Sequence, residues 1–269
     1  MIRKACLYLI LIGLACFYLF PVYTLVNTSL KSDEALKYGP LIPTRELYLG
    51  AYQQALRSIR RPIWNSLVFT GLATLCSSVL GSLTGYVFAK FTWKGSDILF
   101  WLLIVGFYIS PQAILIPLVM FIGKIGLFNN IFSLVLTHTA YGVPITTLLF
   151  KNYYDSVPDE LMDSAWIDGC GVLQGYLRIF LPLSWPGFAV VGIFQFTNIW
   201  NEFLFGLTLT RGIRSQPVTV AVANLKGTTV AAWNMVCAGS MLSILPVVLI
   251  YIFLLKLIIK GLMMGSVKG

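Results

Sequence analysis

Residues 156–182 read Ser156-Val-Pro158-Asp159-Glu160-Leu161-Met162-Asp163-Ser164-Ala165-Trp166-Ile-Asp168-Gly169-Cys170-Gly171-Val172-Leu173-Gln-Gly-Tyr-Leu177-Arg178-Ile179-Phe180-Leu181-Pro182. Ser156 with Asp159 three positions on is a capping-box-like start. Asp159, Glu160 and Asp163 then crowd a first turn, where the helix dipole favours carboxylates. Leu161, Met162, Ala165 and Trp166 fall on one face, the spacing of an amphipathic helix. Gly169 can adopt the left-handed conformation that ends a helix. A second short helix brings Leu173, Leu177 and Phe180 together, before Pro182 and Pro186 open the next segment. The expected structure is a helix–turn–helix whose apolar face is too small to be a core and suits a groove on a partner.

On both sides of this stretch the chain turns apolar for about 20 residues, the length of helix that crosses ~30 Å of hydrocarbon. Six such blocks occur, near 5–25, 64–91, 98–120, 131–150, 183–209 and 236–259. The 269 residues are 58% hydrophobic and 11% charged, with a mean hydropathy of +0.83. A soluble domain carries about a quarter charged residues, so this chain could not build a water-facing shell. The fold class is all-α integral membrane: six transmembrane helices in one domain spanning 1–269, with a loop at 153–182 outside the bilayer. The first block follows a basic start (Arg3, Lys4). It is longer than the apolar core of a signal peptide and lacks a small-x-small site, so it reads as a retained helix.

Between the blocks, the polar stretch from Lys31 to Pro62 reads as an extramembrane loop with room for short helices. Gly81-x-x-x-Gly85 allows close helix approach in lipid. Ser110-Pro111-Gln112 and Pro117 interrupt the third block, a break that neighbouring helices or a water-filled cavity can satisfy. Lys and Arg number nine on the side of the termini and ten opposite, six of the ten in the long first loop. Long loops count little in the positive-inside rule, which leans towards cytoplasmic termini.

Several function classes are excluded or disfavoured. The five cysteines (Cys6, Cys16, Cys76, Cys170, Cys237) have no pairing rhythm, and a lone His138 argues against a metal site. The net charge of +9 fits anionic lipid headgroups, and no basic run with interleaved aromatics supports nucleic-acid binding. Gly123-Lys124 lacks the rest of a phosphate-binding loop, and no nucleophile elbow occurs. A self-contained secondary transporter is the main alternative, but such proteins carry ionisable residues deep in several helices and internal repeats. Here the blocks are nearly free of charge. A membrane scaffold that only recruits a partner is a third reading.

Polar residues inside membrane blocks usually face a cavity or another helix. Gln112, His138, Thr139, Tyr141, Gln195, Asn198, Asn201 and Glu202 are therefore the candidates for a translocation path. His138 reads more readily as a packing residue, and Glu202, beside Trp200, as an interfacial one.

The segment at 156–182 resembles the EAA loop of the membrane subunits of bacterial ABC importers. Asp163-Ser164-Ala165 occupies the E-A-A slot, and Asp168-Gly169 and Ile179-x-Leu181-Pro182 fall in register. Asp for Glu at 163 and Ser for Ala at 164 are the departures. Phe20-Pro-Val-Tyr23 with Ser29-Leu-Lys31, Asn65-Ser-Leu67, Trp200-Asn-Glu-Phe-Leu-Phe205 and the tail Gly261-Leu-Met-Met-Gly265-Ser-Val-Lys268-Gly269 are similar to the carbohydrate branch, the MalG type. The resemblance implies a binding-protein-dependent type I importer in the cytoplasmic (inner) membrane. Its partners would be a second related permease, two copies of an ATP-binding subunit and an extracytoplasmic solute-binding protein, with a carbohydrate as cargo. It implies that Asp163, Ser164, Ala165, Asp168, Gly169, Leu181 and Pro182 couple to the ATP-binding subunit. Gly265 and Lys268 would place the tail near it. This chain would bind no cofactor, ATP and magnesium being held by the partner, and would be no enzyme. The loop and both termini would lie in the cytoplasm.

Overall fold

The computed structural model describes the backbone of residues 2–43, 46–226 and 232–265. These residues form helices α1 (Ile2–Ser29), α2 (Asp33–Leu36), α3 (Gly50–Lys90), α4 (Ser96–Phe107), α5 (Pro111–Lys124), α6 (Ile131–Asp155), α7 (Glu160–Ile167), α8 (Val172–Gly175), α9 (Leu181–Leu183), α10 (Trp185–Asn201), α11 (Leu204–Leu209), α12 (Val218–Asn224) and α13 (Trp233–Gly265). A π-turn at Tyr176–Phe180 joins α8 to α9, and no strand occurs among the described residues.

Four helices are long and apolar enough to cross a bilayer alone: α1, α3, α6 and α13. Two bent helix pairs are apolar enough only when taken together, α4 with α5 at 92° and Val172–Leu183 with α10 at 75°, which makes up to six crossings. The third block is thus bent where Ser110-Pro111 was expected to interrupt it. At about 1.5 Å per residue, the 12 residues of α4 or the 14 of α5 reach only about 20 Å, so neither crosses by itself.

Two expectations need correction. The stretch 31–62 is not loop throughout, because α3 begins at Gly50 and carries Arg57, Arg60 and Arg61 as helix. Arginine is a good helix former, and the other face of this turn is apolar: Ala51, Ala55 and Ile59 are buried. Pro62 sits inside the helix without ending it. Ser156 does not begin a capping box. It closes α6, its hydroxyl donating to Tyr153 O at 2.6 Å, and Asp159 stands at the N-terminus of α7 without capping it.

The chain forms two compact units, residues 1–63 with 218–245 and residues 64–217 with 246–269. In the first, Ala51, Ala55 and Ala238 pack together, and Asn234 Nδ2 donates to Lys31 O and Asp33 Oδ1 at 3.0 Å. Along α1, Leu9, Phe17 and Tyr18 are exposed, as expected of a lipid-facing or partner-facing helix.

The second unit has the inverted pattern of a membrane protein. Its interior includes Ser66, Thr70, Ser77, Ser82, Ser133, Thr146 and Thr147, while Leu75, Ile98, Trp101, Leu102 and Ile116 lie outside. Small residues let the backbones approach. A Cβ on Gly81 would collide with Thr146, and one on Gly85 would lie 2.8 Å from Lys151 N. The close approach expected of this pair is therefore made against α6. Hydroxyls join the same surfaces: Thr146 Oγ1 donates to Ser77 O at 2.8 Å, and the Thr84 and Thr147 hydroxyls are 2.6 Å apart. Such bonds satisfy polar groups that hydrocarbon cannot.

Candidate functional site

Two features of the second unit carry chemistry. The first is the segment around α7 and α8. Its inner face is fixed by an aromatic cluster of Tyr86, Phe150, Tyr154, Tyr176 and Phe180, all buried, into which Met162 packs. Tyr86 is the pivot: its hydroxyl reaches Met162 Sδ at 3.5 Å and donates to Val172 O at 3.2 Å, touching both helices of the pair. Tyr176 donates to Ser82 at 3.0 Å, and Ser82 is 2.7 Å from the Tyr154 hydroxyl. Lys90, at the end of α3, places its ammonium 2.6 Å from Val157 O and 2.6 Å from Asp159 Oδ1. The long helix α3 is thereby tied to the base of α7.

The turn between the helices has a definite cause. Gly169 has φ of +79°, its N–H donates to Trp166 O at 3.0 Å, and Cys170 N–H reaches back to Ala165 O at 2.9 Å. This is the Schellman closure, in which only glycine takes the left-handed position without strain. The helix end read at Gly169 is borne out.

The four apolar residues expected on one face divide. Met162 and Ala165 are buried inward, while Leu161 and Trp166 are exposed. Phe180 is buried too, apart from Leu173 and Leu177, which are open. The outer surface consequently presents Leu161, Trp166, Ile167, Val172, Leu173 and Leu177, with Ile167 87% exposed. Asp163, Ser164, Asp168, Gly169 and Pro182 are exposed too, and Leu181 is half-buried. Ala165 makes its close packing within the chain. Of the tail, α13 runs to Gly265, while Lys268 lies outside the described residues.

The second feature is a cavity of about 310 Å³ between α6 and α10, also lined by Phe107, Ile109, Pro111 and Phe205. It gathers His138, Tyr141, Asn198 and Glu202, together with Gln195. Gln112 and Asn201 are exposed and do not line it; Gln112 is bonded to Ser110 instead. Glu202 terminates α10 and accepts from Phe205 N at 2.9 Å and Gly206 N at 3.4 Å, so its carboxyl caps α11. Its Oε2 is 3.7 Å from His138 Nε2, beyond hydrogen-bonding distance. His138 is stacked on Phe69 at 5.8 Å and lies edge-on to Phe205. Tyr141 donates to Ile109 O at 2.9 Å, holding the α4–α5 corner against α6. Among the described residues, no group of three metal-ligating side chains occurs.

Residues 77–263 match the family described as the inner membrane component of binding-protein-dependent transport systems. The chain belongs to this family. As an inner-membrane component it is a multi-pass permease subunit of an ABC importer and not a secondary transporter. A probable ABC transporter permease protein of Pyrococcus horikoshii is 47% identical over 98% of this chain and 96% of that one. The xylose/arabinose import permease protein XacI of Haloferax volcanii is 32% identical, over 97% and 92%. A bacterial ABC transporter involved in import of the acidic polysaccharide alginate has a chain of the same fold. Its TM-score is 0.77 over 94% of this permease and 96% of that chain, at 20% identity.

Proposed function

We propose that this permease forms half of the translocation path of a carbohydrate importer and couples ATP hydrolysis in a partner subunit to alternating access. The observation that carries the coupling role is the outer surface of α7 and α8. Six large apolar side chains stand exposed on a segment whose inner face is anchored by Tyr86, Tyr176 and Lys90. A rigid anchor with an apolar outer face suits a cleft on a partner, and motion of that partner would pass through Lys90 and Tyr86 into α3. The partner is the ATP-binding subunit, present in two copies, which holds the nucleotide and magnesium. Asp163, Ser164, Asp168, Gly169 and Pro182 meet it, and the tail at Gly265 and Lys268 lies nearby. This chain binds no cofactor and catalyses no reaction.

A second related permease completes the path, and an extracytoplasmic solute-binding protein delivers the cargo. With the α7–α8 segment in the cytoplasm, six crossings place both termini there too. The carbohydrate assignment is supported by relatives named for xylose and arabinose, for melibiose, raffinose and stachyose, and for glucose. The test is uptake by the whole transporter in proteoliposomes, with ATP enclosed and the binding protein outside. The panel is D-glucose, D-xylose, L-arabinose, melibiose and maltose, with amino acids as controls. ATP-dependent uptake of at least one sugar and no amino acid is expected, and uptake of amino acids alone would overturn the reading.

A further inference from the structure

The cavity between α6 and α10 holds the amide side chain of Gln195. Gln195 is 3% exposed and lines this cavity. Its position is built rather than incidental. The Nε2 atom occupies the space a Cβ would take at Gly142, and a Cβ there would also lie 2.8 Å from Ser77 Cβ. The absence of a side chain at 142 seats the amide against α6 and leaves it at the cavity wall.

The other groups extend this arrangement. Gln195 and Asn198 are three residues apart on α10, and Glu202 follows after four more, about one helical turn per step. Asn198 is exposed at the cavity wall. The facing wall carries His138, Tyr141 and Ile145 of α6, and Phe107, Phe194 and Phe205 supply aromatic surface. Two amides and a carboxyl in a row offer both donors and acceptors. Aromatic rings flank them. This combination recognises the hydroxyls and the apolar ring face of a sugar. A volume of about 310 Å³ lies at the lower end of the usual range for small-molecule sites, about 300–1,000 Å³. It suits a single sugar ring.

We infer that this permease carries a sugar subsite of its own in the cavity between α6 and α10, with Gln195 as its central hydrogen-bonding group and Asn198 and Glu202 as the adjoining contacts. The inference rests on the carbohydrate-importer reading, and it adds that this chain, and not only its partner permease, contacts the cargo.

Occupancy is measured apart from transport. In a chain with its five cysteines replaced, Ile145→Cys places one thiol on the cavity wall opposite Gln195. Complexes containing it are labelled with a small maleimide, with and without the sugar that the uptake panel identifies. That sugar should protect the thiol at millimolar concentration. Gln195→Met, which keeps length and packing without polar atoms, should raise the protecting concentration about five- to tenfold. The same change should raise the KM of uptake more than it lowers Vmax. Should Gln195→Met fail to insert, Asn198→Ala, at an open position, supplies the same comparison. Uptake of the sugar without protection, or protection and KM unmoved by the substitution, would overturn the subsite while leaving the importer reading intact. No uptake of any sugar would instead overturn the reading on which it rests.

Discussion

At the scale of single residues, Gly169 shows how one backbone angle sets a functional surface. Its φ of +79° turns the chain between α7 and α8, and no atom lies near enough to obstruct a side chain there. The constraint is conformational rather than steric. A valine at this position would carry a local penalty of roughly 1–2 kcal/mol or more, which the Schellman hydrogen bonds would have to offset. Gly169→Val should therefore leave membrane insertion near the wild-type level and abolish most ATP-dependent uptake, as read by immunoblot of membranes beside a transport assay. Unchanged uptake would remove the segment from coupling. This glycine was legible in the sequence because it follows an amphipathic stretch at a helix-ending position. The inward turn of Ala165 beside Met162 was not, since periodicity marks an apolar stripe without saying which part of it the fold covers. The path residues show the same limit. Polarity alone put Gln112 and Asn201 beside Gln195, Asn198 and Glu202. At about 100° per residue, however, 195, 198 and 202 fall within roughly a 60° arc, and 201 lies off it.

Helices differ in how plainly they announce themselves. The apolar blocks were readable because a crossing needs about 20 apolar residues whatever its partners. The start of α3 was missed for the converse reason. Arg57, Arg60 and Arg61 are polar and read as loop, but they are exposed on a helix whose other face buries Ala51, Ala55 and Ile59. Polarity located them outside the membrane blocks and said little about their backbone. The Gly81–Gly85 pair was legible as a site of close approach, while its partner helix α6 was not, because contact across the fold has no signal in local spacing. Gly85→Val would drive its side chain into Lys151 N and Phe150 Cβ, both within 3 Å of a Cβ at that position. Overpacking of this kind costs about 1–3 kcal/mol. The variant should lose thermal stability in detergent, measured by a shifted unfolding midpoint. A midpoint equal to wild type would mean that α3 and α6 are not held at this distance.

Across the whole molecule, the division of labour follows from where polar and apolar groups sit. Apolar side chains cover the outside of the spans, small and hydroxylated residues fill the helix contacts, and α7 and α8 expose apolar side chains between α6 and α10. The exposed apolar face of α7 and α8 suits a protein partner. Its family membership came through in the sequence from the register of Asp163-Ser164-Ala165, Gly169 and Leu181-Pro182, and the match over residues 77–263 spans that stretch. The central claim is that this surface engages an ATP-binding subunit. The direct measurement is a pull-down of the tagged chain, co-expressed with its neighbouring transport genes and extracted in gentle detergent, compared with an Asp163→Ala/Gly169→Val double variant. The native chain should retain an ATP-binding subunit and a second permease, and the variant should lose the ATP-binding subunit while keeping the permease. A native chain that purifies alone, or a double variant that keeps the ATP-binding subunit at the wild-type level, would contradict the account.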